Sequence, residues 1–151
     1  MGDKVKEELI ILRESHFGIY GVIIEDNSIL TVRKSRGPYE GLLCLTGGTP
    51  KEKETEDETL RREIKEETGA DILEIGRSKT FRLNVEKDSK GRDITFIHIG
   101  LWKSITVKNI DITKMGSEDV EKLEWLSLEN WTDRKDISPP LREVLISISG
   151  T

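Results

Sequence analysis

Hydrophobic residues fall in short clusters along this chain, and their spacing changes from strand-like to helix-like and back. Residues 16–24, from His16 to Ile24, read as a strand, and residues 29–34 as its hairpin partner, with polar residues 25–28 supplying turn chemistry. A third short apolar run, residues 41–46, ends at Gly47 and Gly48. The pattern turns helical over residues 55–68. Thr55 is a suitable N-cap, Glu58 three residues on completes a capping box, and Gly69 is placed to end the helix. Residues 72–85 and 93–103 flank a polar turn and predict a long hairpin, and residues 123–127 predict another short strand. A last helix is expected over 139–149. Ser138 caps it, Pro139 sits in its first turn, and Leu141, Val144, Leu145 and Ile148 form its apolar stripe. One helix inserted early and another late would cover the two faces of a mixed sheet, an α/β layer arrangement.

Composition narrows the function classes. At 151 residues, with no repeat or Pro/Gly/Ser linker, the chain suits a single domain over 1–151. No apolar run approaches the ~20 residues of a membrane span. The first residues, Met1 to Glu8, lack the apolar stretch of a secretory signal. A cytoplasmic protein without a membrane partner is expected. The net charge of −5 argues against a general nucleic-acid-binding surface. It leaves room for a phosphate-bearing substrate whose charge a metal ion would balance. The single cysteine, Cys44, excludes an intrachain disulfide and is expected to be a buried structural thiol. With only His16 and His98 beside it, a zinc site of the Cys/His type is not expected.

The helix at 55–68 carries an unusual charge pattern. Leu60 and Ile64 define its apolar stripe. At about 100° per residue, Glu67 falls within roughly 20° of Leu60, Glu63 about 60° away and Glu66 about 120°, all on one side. Arg62, Lys65 and Glu58 fall on the opposite face, where a purely solubilising helix would carry its acids. Like charges at i,i+3 and i,i+4 oppose an isolated helix by about 0.2–0.5 kcal/mol per pair. A hard divalent cation turns that repulsion into coordination, because Mg²⁺ and Mn²⁺ prefer carboxylate oxygens. The helix alone leaves two readings open, a solvated acidic face and a metal site beside a phosphate.

This segment resembles the signature of the Nudix hydrolase family, Gly-x5-Glu-x7-Arg-Glu-U-x-Glu-Glu-x-Gly-U, where U is a bulky aliphatic residue. Gly48, Glu54, Arg62, Glu63, Ile64, Glu66, Glu67 and Gly69 occupy the defined positions, and Ala70 alone is smaller than usual. A looser similarity extends to residues 21–24, the hairpin after them and the strand at 123–127. The resemblance implies the Nudix fold, an α/β/α sandwich with a mixed β-sheet, whose box forms a loop–helix–loop that holds Mg²⁺ or Mn²⁺. It implies Glu63, Glu66 and Glu67 as metal-binding carboxylates and the Gly47 carbonyl as a further ligand. Glu54 and Arg62 would be the pair that fixes the loop against the helix. Thr46 stands where the family often has proline, which alters local rigidity and removes no functional group.

The activity so implied is pyrophosphohydrolysis, with in-line attack of water on one phosphorus of a phosphoanhydride. Glu63 is the first candidate for the base, and Glu118, Asp119 and Glu121 from a later loop are the alternatives. Arg33, Lys34 and Arg36 are candidates for phosphate contact. The expected substrate is a nucleoside triphosphate or a nucleoside diphosphate derivative. The proline that ADP-ribose hydrolases tend to carry beyond the box is absent, as is the tyrosine of dinucleoside polyphosphate hydrolases. Residues 29–33 match only part of a coenzyme A hydrolase motif. Trp102, Trp125, Tyr39 and Phe17 could stack a base, but each is expected in the core. Two further classes stay open: a catalytically silent Nudix domain that binds a nucleotide as a regulatory module, and an acidic interaction domain without metal. The silent domain would be expected to have lost box carboxylates, and none is lost. A homodimer is compatible with each reading.

Overall fold

The computed structural model describes residues 15–114 and 119–150. Strand β1 (Ser15–Val22) lies between β4 (Leu43–Gly48), to which it is antiparallel, and β6 (Asp93–Lys108), to which it is parallel. Outward from β4 come β3 (Ser28–Lys34) and β2 (Ile24–Glu25), and β5 (Asp71–Lys87) forms the other edge. Strand β7 (Val120–Ser127) pairs with β3. The sheet is mixed, as expected, and it curls.

The first hairpin is shorter than its apolar pattern suggests. Only Ile24 and Glu25 form ladder pairs, with Ile29 and Ser28, across the turn residues Asp26 and Asn27, both at positive φ. That two-residue geometry matches the twist of the flanking strands. Upstream of Ile23 the chain turns away, and β1 takes β4 and β6 as neighbours. Gly18 to Val22 are all buried. A strand covered on both faces has no alternation to reveal which strands flank it.

Helix α1 (Glu56–Thr68) begins and ends as its caps predict. Thr55 Oγ1 accepts from the Glu58 N–H and the Glu58 carboxylate accepts from the Thr55 N–H, both at 3.1 Å. Gly69, at φ 76°, closes it. Leu60 and Ile64 are fully buried, in one cluster with Ile19 and Ile105. Gly21 permits the close approach, because a Cβ there would meet Ile105 Cδ1 at 2.6 Å and Ile64 Cδ1 at 3.1 Å. Helix α2 (Pro139–Ile148) starts with the Ser138 hydroxyl accepting from the Leu141 N–H at 3.3 Å. It buries Leu141, Val144 and Leu145 in a second cluster with Tyr20, Trp102 and Trp131. The two helices thus serve separate apolar clusters of one sheet, the α/β/α layering expected. Among the described residues, no helix is long and apolar enough to cross a membrane.

The capping box makes a simple test of how α1 is held. Thr55→Ala should lower stability by about 1 kcal/mol. A lower urea midpoint with an unchanged denaturant slope would report it, and an unchanged midpoint would mean that packing alone sets the start of the helix.

Candidate functional site

The end of β4 and the flank of α1 meet, and the candidate carboxylates lie at that junction. Gly47 takes φ 133°, and a Cβ on it would collide with the Ile19 carbonyl oxygen at 2.2 Å. A Cβ on Gly48 would fall 2.6–2.8 Å from the Glu63 carboxylate atoms. Gly47 therefore lets β4 pass close to β1, and Gly48 lets the strand end run directly against the helix. Glu67 is only 6% exposed, and one of its oxygens accepts from the Gly47 N–H at 2.7 Å. Burial pushes its carboxyl up to about 8; the Gly47 N–H and Lys34 pull it down, and Glu63 and Glu66 push it further up.

Arg62 organises the other acids. Its Nε and Nη2 donate to the two oxygens of Glu54 at 2.7 and 2.9 Å, and Nη2 also donates to the Thr49 carbonyl at 3.1 Å. Its Nη1 donates to Glu63 at 2.8 Å and to Glu66 at 3.3 Å. The Arg62 guanidinium, the Lys51 N–H and the Thr59 hydroxyl hold the Glu54 carboxyl down at about 2. The angular estimate puts Arg62 opposite these acids. Its side chain is long enough to reach back around the helix, where it is 19% exposed.

Glu63, Glu66 and Glu67, with Gly47, Gly48 and Thr49, form one wall of a cleft of ≈1030 Å³. Lys34, Arg36, Lys114 and Asp119 also line it. Arg36 is ion-paired with Asp119, and the Ser35 N–H donates to the Asp119 carbonyl at 2.8 Å, so the two loops at this rim are tied together. Glu121 is exposed on β7 and does not line the cleft, and Glu118 lies outside the described residues. Arg33 is turned elsewhere, donating to Glu124 at 2.5 and 3.0 Å and to Asp136 at 3.0 Å.

The remaining wall is aromatic, and most of it is not evident in the sequence. His16 and Tyr20 of β1, Phe96 and His98 of β6, and Tyr39 line the cleft. His98 is buried with Nε2 2.6 Å from the Tyr20 hydroxyl and Nδ1 2.7 Å from that of Tyr39. Burial, with help from His16 and Lys34, lowers its pKa to about 3, so the imidazole is neutral and donates through one nitrogen while accepting at the other. The period-two spacing of His16 with Tyr20, and of Phe96 with His98, is the signal that could have found this wall. Of the four residues considered for stacking, Trp102 is core and Tyr39 is buried against the cleft. Phe17, 42% exposed, and Trp125, 37% exposed, are corrections: both lie on the outer surface, away from core and cleft. Cys44 is buried, as expected, and burial pushes its thiol up to about 11.

The donor set suits a hard divalent cation. It consists of carboxylate and carbonyl oxygens, Glu67 forms no ion pair among the described residues, and Glu63 and Glu66 share a single guanidinium nitrogen. Among the described residues no three acidic, histidine or cysteine side chains already converge on one point, and Glu63 and Glu66 are both ion-paired with Arg62.

The sequence model of the NUDIX domain matches residues 13–147. The chain belongs to the Nudix hydrolase family. An ADP-ribose pyrophosphatase of Methanocaldococcus jannaschii is 34% identical over 79 residues, which are 52% of this chain and 46% of that protein. The chain thus spans about half the length of this curated relative. Among solved structures, the MutT Nudix hydrolase of Burkholderia pseudomallei superposes with TM-score 0.71 at 18% identity, covering 89% of this chain and 98% of that one. The Nudix domain of Shewanella oneidensis NrtR, solved with ADP ribose, gives TM-score 0.70 at 18% identity, covering 89% and 86%. At such identities these structures establish the Nudix fold alone.

The buried carboxylate has a pH signature. In the unfolded chain Glu67 ionises in the ordinary carboxylate range, but in the fold only near 8. The folded state therefore binds the extra proton, and the associated stability is present below the ordinary value and lost as pH rises through about 8. Glu67→Gln keeps the acceptor for the Gly47 N–H without the charge. In chelator, its melting temperature should gain on that of the native protein between about pH 5 and pH 9. A difference constant across that range would mean that Glu67 does not titrate within it.

Proposed function

We propose that this chain is a divalent-metal-dependent pyrophosphohydrolase acting on a nucleoside diphosphate derivative. The observation that carries this reading is the buried Glu67 carboxylate, set beside Glu63 and Glu66 in the wall of a cleft that also presents lysines. Glu63, Glu66, Glu67 and the Gly47 carbonyl would hold Mg²⁺ or Mn²⁺. When bound, such an ion supplies a water of lowered pKa and neutralises phosphate charge.

The chain's own residues do the rest. Glu63, which lies against Gly48 within the cleft, accepts the proton released by the attacking water. Arg62 orients that carboxylate and, through Glu54 and the Thr49 carbonyl, keeps the loop before α1 in place. Asp119 is the alternative base; Arg36 engages it as Arg62 engages Glu63, and Glu63 is preferred for its place beside Glu66 and Glu67 on α1. Lys34 and Lys114, unpaired with any carboxylate among the described residues, offer ammonium groups to the phosphate oxygens. Similarity to an ADP-ribose pyrophosphatase supports a nucleoside diphosphate derivative over a triphosphate. A silent nucleotide-binding domain is less well supported, since all three box carboxylates and the Glu54–Arg62 pair are present.

Turnover of a nucleoside diphosphate sugar should require Mg²⁺ or Mn²⁺, and full activity in excess chelator would overturn the proposal. Glu63→Gln and Glu67→Gln should each lower kcat at least about 10²-fold without loss of fold by circular dichroism. Near-native rates in either variant would mean that the site is misassigned. Hydrolysis in ¹⁸O-labelled water should place label on a phosphate product, whereas label on the sugar carbon would indicate glycosidic cleavage.

A further inference from the structure

The cleft has a second, uncharged part whose chemistry bears on the nucleoside. In the parallel pairing of β1 with β6, His16 sits opposite His98, and Phe96 lies two residues before His98 on the same face. The rings of His16 and Phe96 run nearly parallel, 25° apart with centroids 6.2 Å apart, and both are half-buried in the cleft wall. Thr49 connects this shelf to the charged part. Its hydroxyl lies 3.4 Å from His16 Nε2, and its carbonyl accepts from Arg62.

Behind the shelf the imidazole nitrogens are already engaged, and the tyrosine that accepts from His98 keeps one O–H, a lone donor that any base can meet. Both His98 nitrogens are taken by the hydroxyls of Tyr20 and Tyr39. Among the described residues, no buried side-chain nitrogen or oxygen lacks a hydrogen-bond partner. A site that reads a base by its edge keeps donors and acceptors that only the right base satisfies, and this is what produces discrimination of about 10⁴-fold or more. A π surface holds any base, because every base has a face to stack.

We infer that the nucleobase is held by stacking on His16 and Phe96 and is not selected by a base-specific set of hydrogen bonds, so the protein takes nucleoside diphosphate derivatives with little regard to the base. This inference rests on the proposed function for its ligand class. It is separable from that proposal because base recognition can be measured as binding, without turnover.

The experiment is calorimetric titration of the full chain with ADP, UDP and inorganic pyrophosphate in Mg²⁺. ADP and UDP should bind within about tenfold of each other, the margin left once hydrogen-bond readout is absent, and both should bind more tightly than pyrophosphate. Phe96→Ala should weaken ADP and UDP by a similar factor, about 5- to 150-fold from the loss of one stacking partner. It should leave pyrophosphate binding unchanged, which also shows that the variant is folded. Phe96→Trp should restore nucleotide binding, and His16→Ala should weaken both nucleotides in parallel. A preference of about 10³-fold or more for one base would overturn the inference. So would nucleotides that bind no more tightly than pyrophosphate, or a Phe96→Ala variant that weakens all three ligands alike. Base-tolerant binding with no hydrolysis of any diphosphate sugar would refute the proposed activity and leave this inference standing.

Discussion

The hydrogen bond from the Gly47 N–H to the buried Glu67 carboxylate joins the end of a central strand to the helix that carries the acids. A carboxylate in that position is unfavourable on its own account, since burial opposes its charge. It is held there because Leu60, Ile64 and Glu67 share one side of α1. Fully burying the two aliphatic side chains contributes about 1.5–3 kcal/mol each. The helix cannot bury that stripe without carrying Glu67 in with it. The glycines at 21 and 48 remove the side chains that would keep sheet and helix apart, so the junction is a property of packing before it is a property of charge.

From this junction the cleft takes its two-part character. On one side Arg62 divides its hydrogen bonds among Glu54, Glu63, Glu66 and a loop carbonyl, so one guanidinium sets the positions of acids from both the helix and the loop before it. A planar group with five donors suits this role, and a lysine could not reproduce it. On the other side the Tyr20–His98–Tyr39 chain is buried and neutral. It fixes the orientation of three rings without adding charge. The charged and the aromatic surfaces therefore stand apart within one cavity, and their electrostatic requirements do not conflict.

The rim is organised by pairings that span distant parts of the chain. Arg36 and Asp119 tie the loop after β3 to the segment leading into β7, and Lys90 at the tip of the β5–β6 hairpin pairs with Glu40. The Ser89 N–H donates to the Pro38 carbonyl at 2.9 Å, so the hairpin tip rests on the same loop that carries Tyr39. Exposed ion pairs of this kind add little stability singly. Here their effect is positional, because they bring three loops to one opening.

The sequence alone determined both helices and their caps, the side of α1 that carries its acids, and the membership of Glu54 and Arg62 in the same box. The helices, their caps and the face of the acids depend on contacts within a few residues, where helical periodicity and capping chemistry act, and so they are written locally. The Glu54–Arg62 pair is legible only through the resemblance to the Nudix signature. The sequence also showed most of the strands, though not their neighbours. Tertiary structure alone decided that β1 lies between β4 and β6, and with that the aromatic wall, whose members come from positions as far apart as His16, Tyr39 and His98. It decided as well that Arg33 serves Glu124 and Asp136 while Lys34 faces the cleft, and that Arg62 reaches back to the acids it seemed to oppose. The physical reason is the same in each case. A strand buried on both faces carries no mark of which strands will flank it, and a long cationic side chain goes where the assembled fold places its counter-charges.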